Sequence, residues 1–462
     1  MQASRHSGRR VIDMDYLYNL LPRHILSLFN DSILDIYAFA IYLIPVIALL
    51  VFIILRAMGK KCAWIYAAVC WLLLTAIALP TFKGRYLDLS EYGLITPSPI
   101  AVQRLQALDQ KLGVSILASG TERDPLIYAA LEELSAKSAI ELLPTAPENA
   151  NTWPNAIEVR MGTDFVIVPH RRLVVSNPAA PVGKANLLLR LESELLQASA
   201  LLGRPQPVIY RMAGPVDPDY PTIIADVLRE LTDALVSPAS LQSALPDDCS
   251  LLIIDAPQAD LSADQAVVLA EYLSRGGRLL IMTDYAHGGM PMLNNCLKTF
   301  GMSAIDGVVL DPGGAMGGQP EYPMPTPNDN QSIGKWLSSA QRNVLLPLSH
   351  AIQIHGNAKS ILDTTDSAYL QLNNLEHESL ADTEQDISGP FTLAAASEWQ
   401  NAKVVWLASA DVMTIYTDAD VGGANADLLM ASMRYLLDMQ VEPVTAKVLS
   451  TVSDPNFIEP PQ

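Results

Sequence analysis

Acidic and imidazole side chains stand directly after the most apolar runs of the chain: Asp255 after LLII, Asp284 and His287 after LLIMT, and Asp411 after VVWLASA. If those runs are parallel strands of one open sheet, their carboxyl ends border the crevice where such sheets bind ligands. The four side chains would then form a polar ring around a bound solute. A plainer alternative makes them turn and cap residues, since an Asp after a strand readily caps the next helix, and it takes precedence. Covalent catalysis has less to work with. A nucleophile elbow holds Ser or Cys in a tight strand-to-helix turn, yet the junction after LLII reads Asp255-Ala-Pro-Gln-Ala, and Cys249 precedes its strand. His350 and His355, five apart, share neither a helix face nor a strand face and are expected to be structural. Gly-Gly pairs at 276–277, 288–289, 313–314, 317–318 and 422–423 form neither GxxxxGK[ST] nor GxGxxG. Glu376-His377-Glu378 lies in a polar loop and is a weak metal candidate, and no Cys/His spacing suits zinc. No catalytic residue, metal or cofactor is expected.

The elements that would position these groups alternate. Strands are expected at 208–211, 250–255, 278–283 and 307–310, with helices at 221–234, 263–274 and 290–300 between them. This βαβ rhythm predicts an open, mainly parallel sheet with helices on both faces, and uniformly apolar strands suit burial on both sides. Gly276-Gly277 should end one helix with a left-handed residue and feed the next strand. The stretch 311–330, DPGGAMGGQPEYPMPTPNDN, reads as a long irregular loop. Strands at 391–395 and 403–409 and a helix at 424–437 complete the unit. Upstream, a helix opened by Ser98-Pro99, a strand at 114–118, a helix at 124–138, a strand at 140–143, a loop at 144–158 and a hairpin over 165–177 with a basic turn at His170–Arg172 form a smaller α/β lobe. A long amphipathic helix at 183–202 closes it.

Two uncharged runs, 36–55 and 62–82, precede all of this. Each is long enough to cross a hydrocarbon core of ~30 Å, and the six-residue link Arg56-Ala-Met-Gly-Lys60-Lys61 makes them a tight transmembrane hairpin. Three basic residues in the link oppose Arg23, Lys83 and Arg85 at the outer ends, so charge alone leaves the orientation tied. The segment 16–29 reads equally as an interfacial helix or a disordered tail. Beyond residue 85 the chain has 21 Lys and Arg against 45 Asp and Glu. Such a surface repels phosphate backbones, so nucleic acid is excluded as a partner. Of the four cysteines, Cys249 and Cys296 alone lie beyond the apolar runs; they read as buried free thiols, with a disulfide between them as the alternative on an oxidising side. The expected organisation is therefore a tail (1–35), a hairpin (36–82), a first α/β lobe (83–203), a second α/β domain (204–440) and a C-terminal tail (441–462).

Several short stretches recur in one order: Tyr86-Leu87-Asp88-Leu89-Ser90 after the second apolar run, then Leu261-Ser262, then Tyr272-Leu273-x-Arg275-Gly276-Gly277-Arg278-Leu279-Leu280 with Asp284 beyond it. Gly389-Pro390-Phe391, Ala402-Lys403-Val404-Val405 and Asn425-Ala426-Asp427 follow. Over roughly residues 84–440 this pattern resembles the auxiliary subunits of ABC-type transport systems related to the gliding-motility protein GldG. It departs from them at Met212-Ala-Gly-Pro-Val-Asp217, where members commonly show a Gly-His-Gly-Glu-like turn, and in carrying both spans at the N-terminus. The resemblance implies a flavodoxin- or glutamine-amidotransferase-like sheet without the catalytic cysteine, held outside the bacterial inner membrane by a two-pass anchor. It implies a non-enzymatic accessory subunit, with an ABC permease, its ATPase and the lipid bilayer as partners, and leaves room for a homo-oligomer. Two alternatives stand beside it: a tethered solute or glycan receptor using the strand-end crevice, and a degenerate amidotransferase-like hydrolase.

Overall fold

A computed structural model describes residues 33–82, 85–91, 93–118, 123–144, 154–178, 185–202, 204–213, 221–231, 236–284, 289–372, 386–439 and 443–451. The segment 16–29, His287 and Glu376-His377-Glu378 lie outside them. The chain divides into two compact units, Met1–Leu173 and Val174–Gln462. The break falls thirty residues before the boundary expected at 203/204.

The first unit opens with strand β1 (Ile33–Asp35), helix α1 (Ile36–Ala57), helix α2 (Ala63–Phe82) and strand β2 (Tyr86–Asp88). Asp35 caps α1, its carboxylate accepting from the Ala38 N–H at 3.0 Å. Among the described residues α1 is the one helix long and apolar enough to cross a membrane, and α2 contributes a shorter apolar stretch, Ala63–Ala78. β1 pairs antiparallel with β2, Leu34 opposite Leu87, and the Ile36 N–H donates to Arg85 O at 3.1 Å. This clasp holds the start of α1 beside the end of α2.

The lobe that follows contains α3 (Pro99–Gln106), β3 (Leu112–Leu117), α4 (Pro125–Lys137), β4 (Ile140–Leu142), β5 (Ala156–Met161), β6 (Asp164–Val168) and the single turn α5 (His170–Leu173). Ser98 caps α3 and Asp124 caps α4, as their positions before a proline predict. The sheet order is β4-β3-β5-β6, parallel only between β3 and β4. The hairpin expected over 165–177 does not form. Pro169 has no N–H to offer a ladder, and its carbonyl accepts from the Arg172 N–H at 2.9 Å, so the basic stretch closes as a helical turn while β6 pairs back onto β5.

In the second unit, β7 (Val174–Ser176) and β8 (Ala185–Leu189) lead into α6 (Leu191–Leu201). The helix expected at 183–202 is thus a strand over 185–189 and helical only from 191 to 201. β8 lies between β7 and the last strand, β22 (Lys447–Thr451), which falls in what reads from the sequence as an uneven tail. Leu191–Ser199 is buried all round, polar residues included. Arg190, just before it, donates to Asp427 Oδ2 at 2.6 Å and to Glu194 Oε1 at 2.7 Å, and Arg342 meets the same Asp427 oxygen at 2.8 Å. Two guanidiniums and two carboxylates, all nearly inaccessible, neutralise one another there.

The large sheet is built from β9 (Val208–Ala213), α7 (Ile224–Leu231), β10 (Val236–Pro238), β11 (Cys249–Asp255), α8 (Ala263–Ser274), β12 (Arg278–Met282), α9 (Pro291–Lys298) and β13 (Met302–Ile305). β14 (Val308–Leu310), β15 (Thr326–Pro327), α10 (Ser332–Ser339), β16 (Ala351–Ile354), β17 (Lys359–Asp363), β18 (Tyr369–Gln371) and β19 (Ile387–Ser388) follow, then β20 (Thr392–Trp399), β21 (Ala402–Leu407), α11 (Ile415–Asp420) and α12 (Ala424–Leu436). Its main path runs β10-β9-β11-β12-β21-β20-β16-β13. The first five strands are parallel, as expected for β9, β11, β12 and β21, while β10 is a strand the sequence pattern does not mark; the remainder are antiparallel. The switch occurs at the two-residue turn Gln400-Asn401, where Gln400 has φ 49° and Trp399 faces Ala402: a tight hairpin can only join antiparallel strands. β14, expected in this sheet, pairs instead with β18 in a separate three-stranded sheet.

Strand β11 shows why the sheet is covered on both faces. Leu251 and Ile253 pack into the core with α7, α10 and α12, while Leu252 and Ile254 pack with α8 and α9. α8 begins with a capping box between Ser262 and Gln265. It ends as its Gly-Gly pair predicts: Gly276 has φ 89°, its N–H donates to Leu273 O, and the Gly277 N–H donates to Tyr272 O.

Candidate functional site

β12 and β21 are parallel neighbours with Met282 opposite Leu407, so the segments leaving their carboxyl ends start side by side. The Thr283 N–H donates to Leu407 O at 3.1 Å, and Asp284 Oδ1 accepts from the Ala410 N–H at 2.7 Å. The acid after one strand is thereby fastened to the turn after the next. Asp411 opens that turn's 3₁₀ segment, Asp411–Met413. Burial pushes the Asp284 carboxyl up, against the pull of the Ala410 and Asp411 N–H groups. Burial, and then the charge of Asp284, push Asp411 up to about 6. Two of the four residues singled out from the sequence thus meet as an electrostatically coupled pair.

Asp255 is committed elsewhere. It is almost wholly buried, and its Oδ2 lies 2.7 Å from Arg211 Nε and 2.5 Å from Arg211 Nη2. Arg211 stands opposite Ile253 on the neighbouring β9, two residues short of Asp255, a diagonal that a long side chain spans. After it comes Ala256, with φ 45° and its N–H donating to Met282 O at 3.1 Å. This is the strained strand-end position where an elbow would hold a nucleophile, and here the side chain is a methyl group. Cys249 lies at the opposite end of the strand, beside the Tyr272 hydroxyl, and Cys296 faces Ala266 O. Both are free, and burial pushes both thiols up, away from the reactive thiolate.

Beside Asp284, on the α9 face of the sheet, lies a small cavity lined by Thr283, Asp284, Met290, Leu293, Asp306 and Trp406, with Gly289, Asn294, Ala304 and His350. Its water-accessible volume is ≈ 30 Å³, room for about two water molecules. A directed hydrogen-bond chain forms its floor. The Trp406 Nε1–H donates to Thr283 Oγ1 at 2.7 Å, and Thr283 Oγ1 lies 2.8 Å from His350 Nε2. His350 Nδ1 is 3.0 Å from Ala351 O, an acceptor only, so Nδ1 carries the proton and Nε2 accepts from the threonine hydroxyl. His350 is thus held neutral, its pKa pushed down to about 4 by burial. Among the described residues no three His, Cys, Asp or Glu side chains gather to hold a metal ion.

Spacing does not mark the cavity's Thr283, Asn294, Asp306 and Trp406, and it reads His350 as structural. The available signal was chemical: an indole N–H within an apolar strand and an imidazole directly before one both need partners when buried.

No family model matches the chain, and no curated protein matches it. Among solved structures it is similar to the N-terminal domain of mmIFT52, at 14% identity and TM-score 0.39, over 50% of this chain and 97% of that one. A ThuA-like protein from Bacteroides uniformis is 11% identical, with TM-score 0.32, over 51% and 92% of the respective chains. The carbohydrate deacetylase Agd3 is 13% identical, with TM-score 0.26, over 44% and 29%.

Proposed function

We propose that this chain is a membrane-anchored, non-enzymatic accessory subunit of an ABC transporter. Its two apolar helices would cross the bacterial inner membrane as a hairpin, dock on the permease and its ATPase, and hold both α/β units on the extracytoplasmic side. The observation that carries the anchor is α1. Phe39, Leu43, Val46, Leu49, Leu50, Ile53 and Ile54 are all exposed along a 22-residue helix, and an apolar surface of that size has to be covered by lipid or by a partner. The clasp between β1 and β2 supports the two-pass arrangement, since it returns the chain beside the point where α1 begins. The transporter assignment itself rests on the resemblance in the β11–α8–β12 region. Purification of a tagged chain in mild detergent should recover an ABC permease and ATPase; recovery of neither overturns the assignment. Protease added outside spheroplasts should digest both units, and protection would reverse the topology.

A second reading, a tethered solute receptor, is favoured by one observation: the cavity at the carboxyl end of β12, where open parallel sheets take their ligands.

A further inference from the structure

We propose that the cavity beside Asp284 binds the primary ammonium group of a small organic amine. The inference rests on the second reading above, that this cavity is used, and is independent of any transporter partner.

Three features of the lining select the ligand. The first is charge: Asp284 and Asp306 line the cavity, and among the described residues no Lys or Arg does. The second is hydrogen-bond accounting. The indole N–H of Trp406 is spent on Thr283, the Thr283 hydroxyl on His350, and the His350 Nδ1–H on Ala351 O. These groups of the floor have no donor left for a ligand; the Asn294 amide, whose Oδ1 accepts from the Ala304 N–H, keeps its Nδ2–H donors, and the two carboxylates bring acceptor oxygens and the only charges of the described lining. An anion therefore meets repulsion, and a ligand rich in N–H donors meets matching partners. The third is the wall. Met290, Leu293, Ala304 and Trp406 are apolar and suit a short alkyl stem. A bare divalent cation would want six or more oxygens, and the described residues offer no such cluster.

One carboxylate is positioned in advance: Asp284 is fastened by the Ala410 N–H. Asp306 is exposed, and its Oδ1 would stand 3.0 Å from a Cβ at Gly289, so a side chain there would crowd it. Gly289 has φ 69° as well, a conformation that glycine adopts at no cost. With space for about two waters, the cavity admits an ammonium head and its first carbons and leaves any larger remainder outside.

The test uses the full chain in nanodiscs and isothermal titration with ethylammonium chloride, against n-propanol as the neutral probe and sodium acetate as the anionic one, at constant ionic strength. Ethylammonium should bind in the millimolar range, since a ligand of three heavy atoms can bind little tighter. Propanol and acetate should not bind. Asp306→Asn should weaken ethylammonium binding at least tenfold without shifting the unfolding midpoint of the unliganded protein, and Ala304→Leu, which fills the cavity, should abolish it. Propanol binding as well as ethylammonium, with both lost in Ala304→Leu, would overturn the ammonium assignment and leave the receptor reading standing. No binding of any probe would overturn both, as would ethylammonium binding that survives Asp306→Asn and Ala304→Leu alike.

Discussion

Replacing Asp411 with Asn should make the second unit more stable, and only above a defined pH. The Asp411 carboxyl is raised from 3.8 to about 6 by burial and by the neighbouring charge of Asp284. A raised acid holds its proton more tightly in the folded chain than in the unfolded one. Its contribution is therefore complete below pH ~3.8, is lost as the pH climbs to about 6, and stays lost above that. The gap corresponds to about 3 kcal/mol. Asp411 keeps some contact with solvent, and screening brings the figure to about 1.5 kcal/mol. Asparagine cannot ionise, so Asp411→Asn should match the parent near pH 4 and exceed it by that amount at pH 7 to 8, about 3–5 °C in unfolding midpoint. Urea unfolding of both proteins across this range gives the difference curve directly. His350 works in the opposite sense. Its pKa falls from 6.5 to about 4, so stability is complete above 6.5 and is lost as the pH falls toward 4, by about 3 kcal/mol for a group this buried. In the parent the two slopes partly cancel between pH 4 and 6, and the variant should expose the histidine's. A flat difference curve, or a variant less stable at pH 7.5, would refute the electrostatic account and make the Asp411 carboxylate a required hydrogen-bond acceptor.

Asp427→Asn leaves Arg190 and Arg342 buried with one carboxylate between them and should cost about 3–5 kcal/mol in chemical denaturation. Arg211→Met should cost a similar amount by stranding buried Asp255, and the double replacement Arg211→Met with Asp255→Leu should recover most of it; a double variant as unstable as the single would show that the pair is not the cause. Leu49→Lys, near the middle of α1, should reduce membrane insertion by about 2.5–3.5 kcal/mol, read as the fraction resisting carbonate extraction, and an unchanged fraction would count against α1 as the anchor.

What could be read from residue order alone was whatever local chemistry decides. The cap at Ser98, the Gly276-Gly277 stop and the β11–α8–β12 unit all depend on side chains within a few positions of the backbone groups they satisfy. What failed depended on distant partners. The run ANLLL is a strand only because β7 and β22 flank it, one of them some 260 residues away, and before that pairing its leucines suit a helix equally well. β14 looks like its neighbours in composition, yet its partner is β18.

The site divides the same way, and the division bears on function. That Asp284 and Asp411 stand together follows from two parallel strands being adjacent. That Asp255 is sequestered follows from the register of β9 against β11, which places Arg211 within reach. Had β9 been paired one residue out of step, the guanidinium would lie on the other face and Asp255 would be an unpaired buried charge. The arrangement therefore holds Asp255 as a structural counter-ion and leaves Asp284 beside the cavity, where the proposed amine would meet it. Asp255→Asn should accordingly lower stability while leaving amine binding at the cavity intact, and Asp284→Asn should do the reverse. An equal loss of binding in both variants would show that the crevice works as one polar ring across all three strand ends.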